Sequence, residues 1–326
     1  MSKLVTIYGG SGFVGRYVAR RMAKEGWRVR VACRRPNEAM FVKPYGVVGQ
    51  VEPVFCNIRD DASVRTVMRG ADAVVNCVGT FDARGRNNFD AVQVEGAERV
   101  ARIAAEEQVA RMVHLSAIGA DPVSDSVYSR TKAEGEAMVR NHRPDAVILR
   151  PSVVFGPEDA FFNRFAAMTR FGPVLPVIGA ETRMQPVYVD DLAQAVVKGI
   201  LGQAEPGVYE IGGPEVQTFR ELMNTMLKTI QRRRLVLNIP FGIARIMAGV
   251  FSIGSMLSAG LIKPPVTPDQ VRSLQVDNVV ADGAKTLADL GISPTAIESV
   301  VPEYLWPFRP SGQYAAIKDS AKNLKA

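Results

Sequence analysis

The chain has 326 residues, 47% of them hydrophobic, so it can bury a sizeable core and is not a disordered polymer. Its net charge of +7 suits an acidic partner or an anionic lipid surface. Nucleic acid is disfavoured, because no basic stripe is interleaved with aromatics and no groove-reading motif is present. Cys33, Cys56 and Cys77 show no short pairings, which argues for a reducing compartment. His114 and His142 are too scattered to make a metal site, so no metal is expected.

The first element is an apolar run, Leu4 to Tyr8, that enters Gly9-Gly10-Ser11-Gly12-Phe13-Val14-Gly15 and leaves it as an amphipathic helix to Glu25. This reads as the strand, phosphate loop and helix of a dinucleotide-binding unit. Gly9 turns the backbone sharply, Gly12 leaves room for a pyrophosphate, and Gly15 allows close packing of the helix on the sheet. The helix N-terminus adds unpaired N–H groups and the positive end of a dipole. Arg16, Arg20, Arg21 and Lys24 read as a solvated face of that helix. The strand begins within a few residues of Met1, so no signal or transit peptide is expected.

Strand two, Arg28 to Cys33, ends in Arg34-Arg35-Pro36 where an NAD-binding fold usually carries an acid. Two guanidinium groups there suit a 2′-phosphate, which favours NADP(H); the alternative is ordinary surface arginines. Strand three, Val51 to Cys56, leads to a turn at Asn57-Ile58 placed to meet an adenine. Strand four, Ala73 to Val78, ends at Gly79, whose bare backbone allows close approach to a ligand. A long helix is expected from Phe89 to Glu107. Strand five is Met112 to Ser116, and strand six, Ala146 to Arg150, ends in Pro151-Ser152-Val153. Repeated βα units of this length predict an α/β fold, a Rossmann-like doubly wound parallel sheet with helices on both faces.

Beyond Pro151 the rhythm loosens. Residues 1–155 form the expected dinucleotide-binding domain. Residues 156–310 form a smaller α/β lobe partly interleaved with it, and 311–326 a polar tail. Thr218-Phe219-Arg220-Glu221 has capping-box spacing before a helix. The segment 239–262 is apolar, with Ile243, Ile246, Met247, Val250 and Phe251 on one helical face and a single charge, Arg245. Three readings stay open for it: a buried helix pair, a protein interface, or a helix lying in a membrane interface flanked by Arg232-Arg233-Arg234.

Tyr128 and Lys132 are four apart on a helix after strand five, so they share a face. An ammonium beside a phenol stabilises the phenolate, which suits proton transfer at a carbonyl or alcohol. Together, Gly9–Gly15, Asn76–Gly79, the Tyr128/Lys132 pair and Leu149-Arg150-Pro151-Ser152 resemble the extended and atypical short-chain dehydrogenase/reductase superfamily, over roughly Lys3 to Ile230. The resemblance implies that Gly9, Ser11, Gly12, Phe13, Val14 and Gly15 cradle a pyrophosphate, with Arg34 at the 2′-phosphate. It puts Asn57 and Ile58 at the adenine and Val78 and Gly79 at the ribose. Tyr128, Lys132 and Pro151–Val153 fall at the nicotinamide. Two positions depart from the pattern. Ser116 is followed by Ala117-Ile118, one turn of chain early for the superfamily's catalytic hydroxyl, and Gln93 stands where an Asn is usual.

Within the superfamily, Met184-Gln185-Pro186-Val187-Tyr188-Val189-Asp190-Asp191, Glu210-Ile211-Gly212-Gly213-Pro214 and the apolar segment resemble the nucleotide-binding accessory subunits of respiratory complex I, the NADH:ubiquinone oxidoreductase. That implies a structural NADP(H), partners in the peripheral arm, and a peripheral place on the cytoplasmic face of a bacterial inner membrane. The rival expectation is a free NADPH-dependent reductase, epimerase or dehydratase with Tyr128 as acid/base.

Overall fold

Short β-branched runs bounded by glycine turns set up the first half of the chain. The computed structural model describes residues 2–81, 85–257 and 266–314. In chain order they form β1 (Leu4–Tyr8), α1 (Phe13–Lys24), β2 (Arg28–Cys33), a 3-10 segment (Pro36–Tyr45), β3 (Val51–Phe55), α2 (Asp61–Met68), β4 (Ala73–Asn76), α3 (Glu95–Glu106), β5 (Arg111–Leu115), α4 (Val127–His142) and β6 (Val147–Pro151). There follow β7 (Val154–Phe155), α5 (Phe162–Met168), β8 (Val174–Ile178), β9 (Arg183–Met184), β10 (Val187–Tyr188), α6 (Val189–Ile200), β11 (Gly207–Ile211) and β12 (Gln217–Thr218). The last elements are α7 (Phe219–Thr229), β13 (Leu235–Ile239), α8 (Phe241–Leu257), α9 (Pro268–Ser273) and α10 (Ile297–Leu305).

Contacts divide the chain into two compact units. The first comprises Met1–Ser152, Val189–Gly212 and Val280–Pro294. Among the described residues its seven strands make one parallel sheet in the order β11-β6-β5-β4-β1-β2-β3. This is the doubly wound Rossmann arrangement, with the strand order reversing between β1 and β4. Every residue of β1 is buried, as a strand covered on both faces requires. α6 and β11 follow residue 155 in the chain yet belong to this unit; Arg21 of α1 grips Asp190 of α6 with two bonds of 2.7 Å. Arg21 therefore leaves the solvated face expected for it.

The helix expected from Phe89 to Glu107 is not uniform. Asp90–Val94 is wound as a π turn before α3 begins. The wider turn points Gln93 inward, where it is buried and hydrogen-bonded.

The second unit comprises Val153–Tyr188, Gly213–Val279 and Thr295–Ala326. Its core gathers Phe155, Phe162, Leu175, Met223 and Val301 around α7. The capping box at Thr218 forms as expected: its hydroxyl accepts the Glu221 N–H at 3.2 Å, and the Glu221 carboxylate accepts the Thr218 N–H at 2.7 Å. On α8 the buried stripe is Ala244 and Ala248. The larger side chains face out: Ile243 is 54% exposed, Ile246 71% and Val250 61%. The five residues expected on one helical face, Ile243, Ile246, Met247, Val250 and Phe251, are all exposed, and small alanines are what allow the helix to approach its own core. Residues 258–262 of the apolar segment and 315–326 of the tail lie outside the described residues. Among the described residues no helix is long and apolar enough to cross a membrane.

Candidate functional site

The phosphate loop is built by the end of β1. Gly9 has φ +74°, a conformation L side chains rarely adopt, and its N–H donates to the Ala32 carbonyl at 2.9 Å. An added Cβ at Gly9 would meet the Cys77 carbonyl at 3.2 Å, so the loop lies against the end of β4. Gly15 is tighter still: a Cβ there would lie 2.6 Å from the Gly10 Cα and closer to the Gly9 carbonyl oxygen. Its clearance thus serves the approach of α1 to its own loop, where packing on the sheet was expected. Gly12 is the N-cap of α1, and no side chain caps the helix or places a carboxylate in its first turn at Phe13, Val14 and Gly15. The first N–H groups are left for an anion, and the glycine cradle fits a dinucleotide pyrophosphate.

Ser11 hydrogen-bonds the Cys33 thiol at the end of β2, while burial pushes that thiol up. Arg34 and Arg35 follow and are exposed. Their surroundings differ, for the Arg35 guanidinium donates to Glu38 at 3.0 and 3.3 Å. At the end of β3, the Asn57 carboxamide oxygen accepts the Arg59 N–H at 3.2 Å and holds the turn. The Ile58 side chain is buried in the core and packs on Gly96 in the first turn of α3.

The carboxyl ends of β4 and β5 bring the second group together. The Asn76 carboxamide oxygen accepts the Val78 N–H at 3.1 Å, which turns the chain into Gly79. A Cβ on Gly79 would sit 3.8 Å from Lys132 Nζ, so these two expected ligand positions are neighbours. Lys132 Nζ donates to the Leu115 carbonyl at 3.2 Å and lies 5.9 Å from the centre of the Tyr128 ring. Tyr128 is stacked by Phe81 at 5.3 Å and met edge-on by Phe89 at 6.0 Å. These two rings have no signal in the sequence beyond being aromatic.

The electrostatics depart from the simple phenolate expectation. Burial raises the Tyr128 phenol to about 12. Burial lowers Lys132 to about 8, opposed by Glu136 and Cys77. The Ser116 hydroxyl is buried with no hydrogen-bond partner among the described residues, while its N–H donates to the Leu149 carbonyl at 2.8 Å. Gln93 is occupied as a tie: its amide donates to the Thr80 carbonyl at 2.7 Å, and its oxygen accepts the Thr131 hydroxyl at 3.2 Å. Pro151 ends β6 and accepts the Ile118 N–H at 3.0 Å; the Ser152 N–H donates to Ile211 at 2.9 Å. Val153 opens the second unit, its N–H bonded to the Asn278 carboxamide oxygen at 3.1 Å.

Beneath this face lies a charged cluster absent from the sequence reading. Fully buried Glu136 of α4 accepts two bonds from Arg150 of β6, at 2.8 and 2.7 Å, and Glu210 of β11 stands 3.4 Å from the same guanidinium. Nearby, His114 of β5 is buried with Nδ1 3.2 Å from the Asn76 carboxamide nitrogen. Because the Asn76 oxygen is occupied by Val78, its nitrogen donates, which fixes His114 as the neutral Nε2–H tautomer. Burial, with Lys132 adding to it, depresses His114 to about 3. The unfolded chain therefore takes up a proton on His114 that the folded chain refuses between about pH 6.5 and 3. Stability should fall with acid across that window by at most about 1.4 kcal/mol per pH unit from this group. Urea unfolding at pH 7 and 5 should show the loss, and His114→Gln should flatten the dependence; an unchanged slope would assign it elsewhere. Among the described residues no group of His, Cys, Asp and Glu could hold a metal ion.

Comparison with known proteins adds four findings. The model of the NAD dependent epimerase/dehydratase family matches residues 5–212. The NADH-ubiquinone oxidoreductase 40 kDa subunit, mitochondrial, of Neurospora crassa is 31% identical over 310 residues, covering 95% of this chain and 80% of that one. The NADH dehydrogenase [ubiquinone] 1 alpha subcomplex subunit 9, mitochondrial, of Arabidopsis thaliana is 33% identical over 317 residues, covering 95% and 79%. Among solved structures, the crystal structure of gox2253 superposes with a TM-score of 0.70 at 20% identity, covering 96% of this chain and 99% of that one, a likeness of fold.

Proposed function

The chain belongs to the NAD dependent epimerase/dehydratase family, and from that premise we propose that it is an NADP(H)-binding accessory subunit of respiratory complex I. The observation that carries the reading is its alignment over 95% of its length with two complex I subunits of the Neurospora and Arabidopsis mitochondrion. The site supports a nucleotide that is held more than used. The phosphate loop is intact, whereas Gln93 is spent on Thr80 and Thr131 and burial keeps the Tyr128 phenol at about 12. A nucleotide that binds only the folded chain stabilises it by about 2.7 kcal/mol at one hundred times its dissociation constant. NADP(H) is preferred to NAD(H) because Arg34 and Arg35, not a carboxylate, follow β2.

The proposed partners are peripheral-arm subunits, with the chain docked peripherally on the cytoplasmic face of a bacterial inner membrane. The exposed Ile243, Ile246 and Val250 of α8 support a membrane-surface contact. Charge supports it too: no Asp or Glu occurs between Glu221 and Asp269, a stretch that carries Arg232, Arg233, Arg234 and Arg245. The test is native separation of mildly solubilised membranes with mass spectrometry of the complex I band. The chain should co-migrate with complex I, and Tyr128→Phe should leave assembly and electron transfer unchanged. Absence of the chain from every complex I band would sink the reading. A large loss of activity in the Phe variant at constant assembly would favour the second reading, a free NADPH-dependent reductase. That alternative draws on the Ser116 hydroxyl, which has no hydrogen-bond partner among the described residues and lies near the Tyr128/Lys132 helix.

A further inference from the structure

We infer that Gln93 is the positioning residue that retains the nucleotide: it clamps the turn after β4 onto α4, and so sets how slowly a bound NADP(H) leaves. The inference rests on the NADP(H) reading above and deepens it. The turn spans residues 78–81 and carries Val78 and Gly79, the two positions expected at the ribose. It is fixed at both ends. At its start the Asn76 carboxamide oxygen accepts the Val78 N–H at 3.1 Å. At its far end the Gln93 amide donates to the Thr80 carbonyl at 2.7 Å, and the Phe81 ring lies nearly parallel to Tyr128 at 5.3 Å. The oxygen of the same Gln93 carboxamide accepts the Thr131 hydroxyl at 3.2 Å, so one side chain joins the turn to α4. Thr131 lies between Tyr128 and Lys132 on that helix.

The seat of the clamp is rigid. Gln93 belongs to the π turn Asp90–Val94, a distortion that recurs at functional sites. A Cβ on Gly135 would collide with the Gln93 carbonyl oxygen, so the backbone of the π turn lies directly on α4. Gly135 stands one helical turn beyond Thr131. Gln93 therefore meets two successive turns of α4, one with its backbone and the next with its side chain. Phe89, which precedes the π turn, adds an edge-on contact to the Tyr128 ring at 6.0 Å. Gln93 is buried with both ends of its carboxamide bonded, and an amide pulled from its partner while still buried costs more than the bond itself contributes. A Cβ on Gly79 would stand 3.8 Å from Lys132 Nζ, so the clamped turn and the lysine are within reach of one ligand. Release of a nucleotide seated there requires the turn and α4 to part, and Gln93 is what resists.

The test follows release of NADPH from the full-length chain by its fluorescence, after a chase with excess NADP+, in wild type, Gln93→Leu, Gln93→Asn and Phe81→Ala. Gln93→Leu roughly keeps the volume and cuts both bonds. Dissociation should quicken roughly 10- to 100-fold, while association changes by less than about 3-fold. Gln93→Asn, one methylene short of bridging Thr80 and Thr131, should fall between wild type and Leu. Phe81→Ala removes only the stack, at an exposed position outside the core, and should quicken release about 3- to 10-fold. It also serves if the Leu variant folds poorly. Urea unfolding of the ligand-free variants separates retention from support of the fold. Wild-type release rates in variants that have lost stability would show that Gln93 only holds the fold, and a change confined to association would place its effect at entry. Either overturns the inference while the NADP(H) reading stands. A wild type that binds no NADPH overturns that reading and the inference with it.

Discussion

Gly15→Ala is expected to weaken nucleotide binding at least about 100-fold and to cost the unliganded chain about 2 kcal/mol, as forced overpacking does. Backbone conformation is not the cause, because Gly15 lies inside α1. The cause is what occupies the space. The new methyl group would overlap the Gly9 carbonyl oxygen and the Gly10 Cα, and both belong to backbone that cannot rotate aside. To relieve the overlap, α1 must move away from the loop, or Gly9 must give up its 2.9 Å bond to Ala32. Either movement separates the helix N-terminus from the turn that completes the cradle. Gly12→Ala makes the control: there the added carbon meets only the Gly9 carbonyl, at 3.1 Å. It should lose affinity with a smaller loss of stability. Isothermal titration with NADPH and urea unfolding of the ligand-free variants separate the two effects. Wild-type affinity in Gly15→Ala would mean that the loop does not hold the phosphates.

Glu136→Ala should destabilise the first unit by about 3 kcal/mol, because removing one member of a buried pair leaves the other uncompensated. Glu136 is fully buried, and among the described residues Arg150 then keeps the more distant Glu210 at 3.4 Å as its carboxylate partner. The same change removes the carboxylate that opposes the burial of Lys132, so the lysine should titrate below about 8. Folded Lys132 already releases its proton more readily than the unfolded chain does. Its protonated form therefore costs stability at neutral pH, and that cost disappears as pH rises from about 8 to 10.5. Replacing Glu136 and Arg150 together by methionine should cost less than Glu136→Ala alone. Denaturant curves of the wild type and the two variants at pH 7 check this. A double variant worse than the single one would show that the pair contributes net stability.

The parts of the fold and site legible in the sequence are those that local chemistry specifies. The Leu4–Tyr8 run, the sharp turn at Gly9 and the Thr218 box each act within a few residues of themselves and form as read, whereas Gly15 clears the approach of α1 to its own loop instead of to the sheet. The spacing of Tyr128 and Lys132 was equally plain. Their titration was not, since it follows from Phe81, Phe89 and burial, which the chain brings together only on folding. Gln93 illustrates the same limit. It could be recognised as a departure from a pattern, but its two bonds depend on a π turn that no periodicity announces. Arg16 looked like one more charge on an amphipathic helix because one of its contacts, the Phe41 ring, is distant in sequence.

The outward stripe of α8 bears on the life of a solitary copy. Ile246 and Val250 would be covered once the chain is docked and wet before it is. Chaperones and proteases recognise such surfaces, so an unassembled copy would carry its own mark for removal. In the proposed role, the abundance of the chain would follow the number of places available to receive it, with no dedicated sensor needed to match the two.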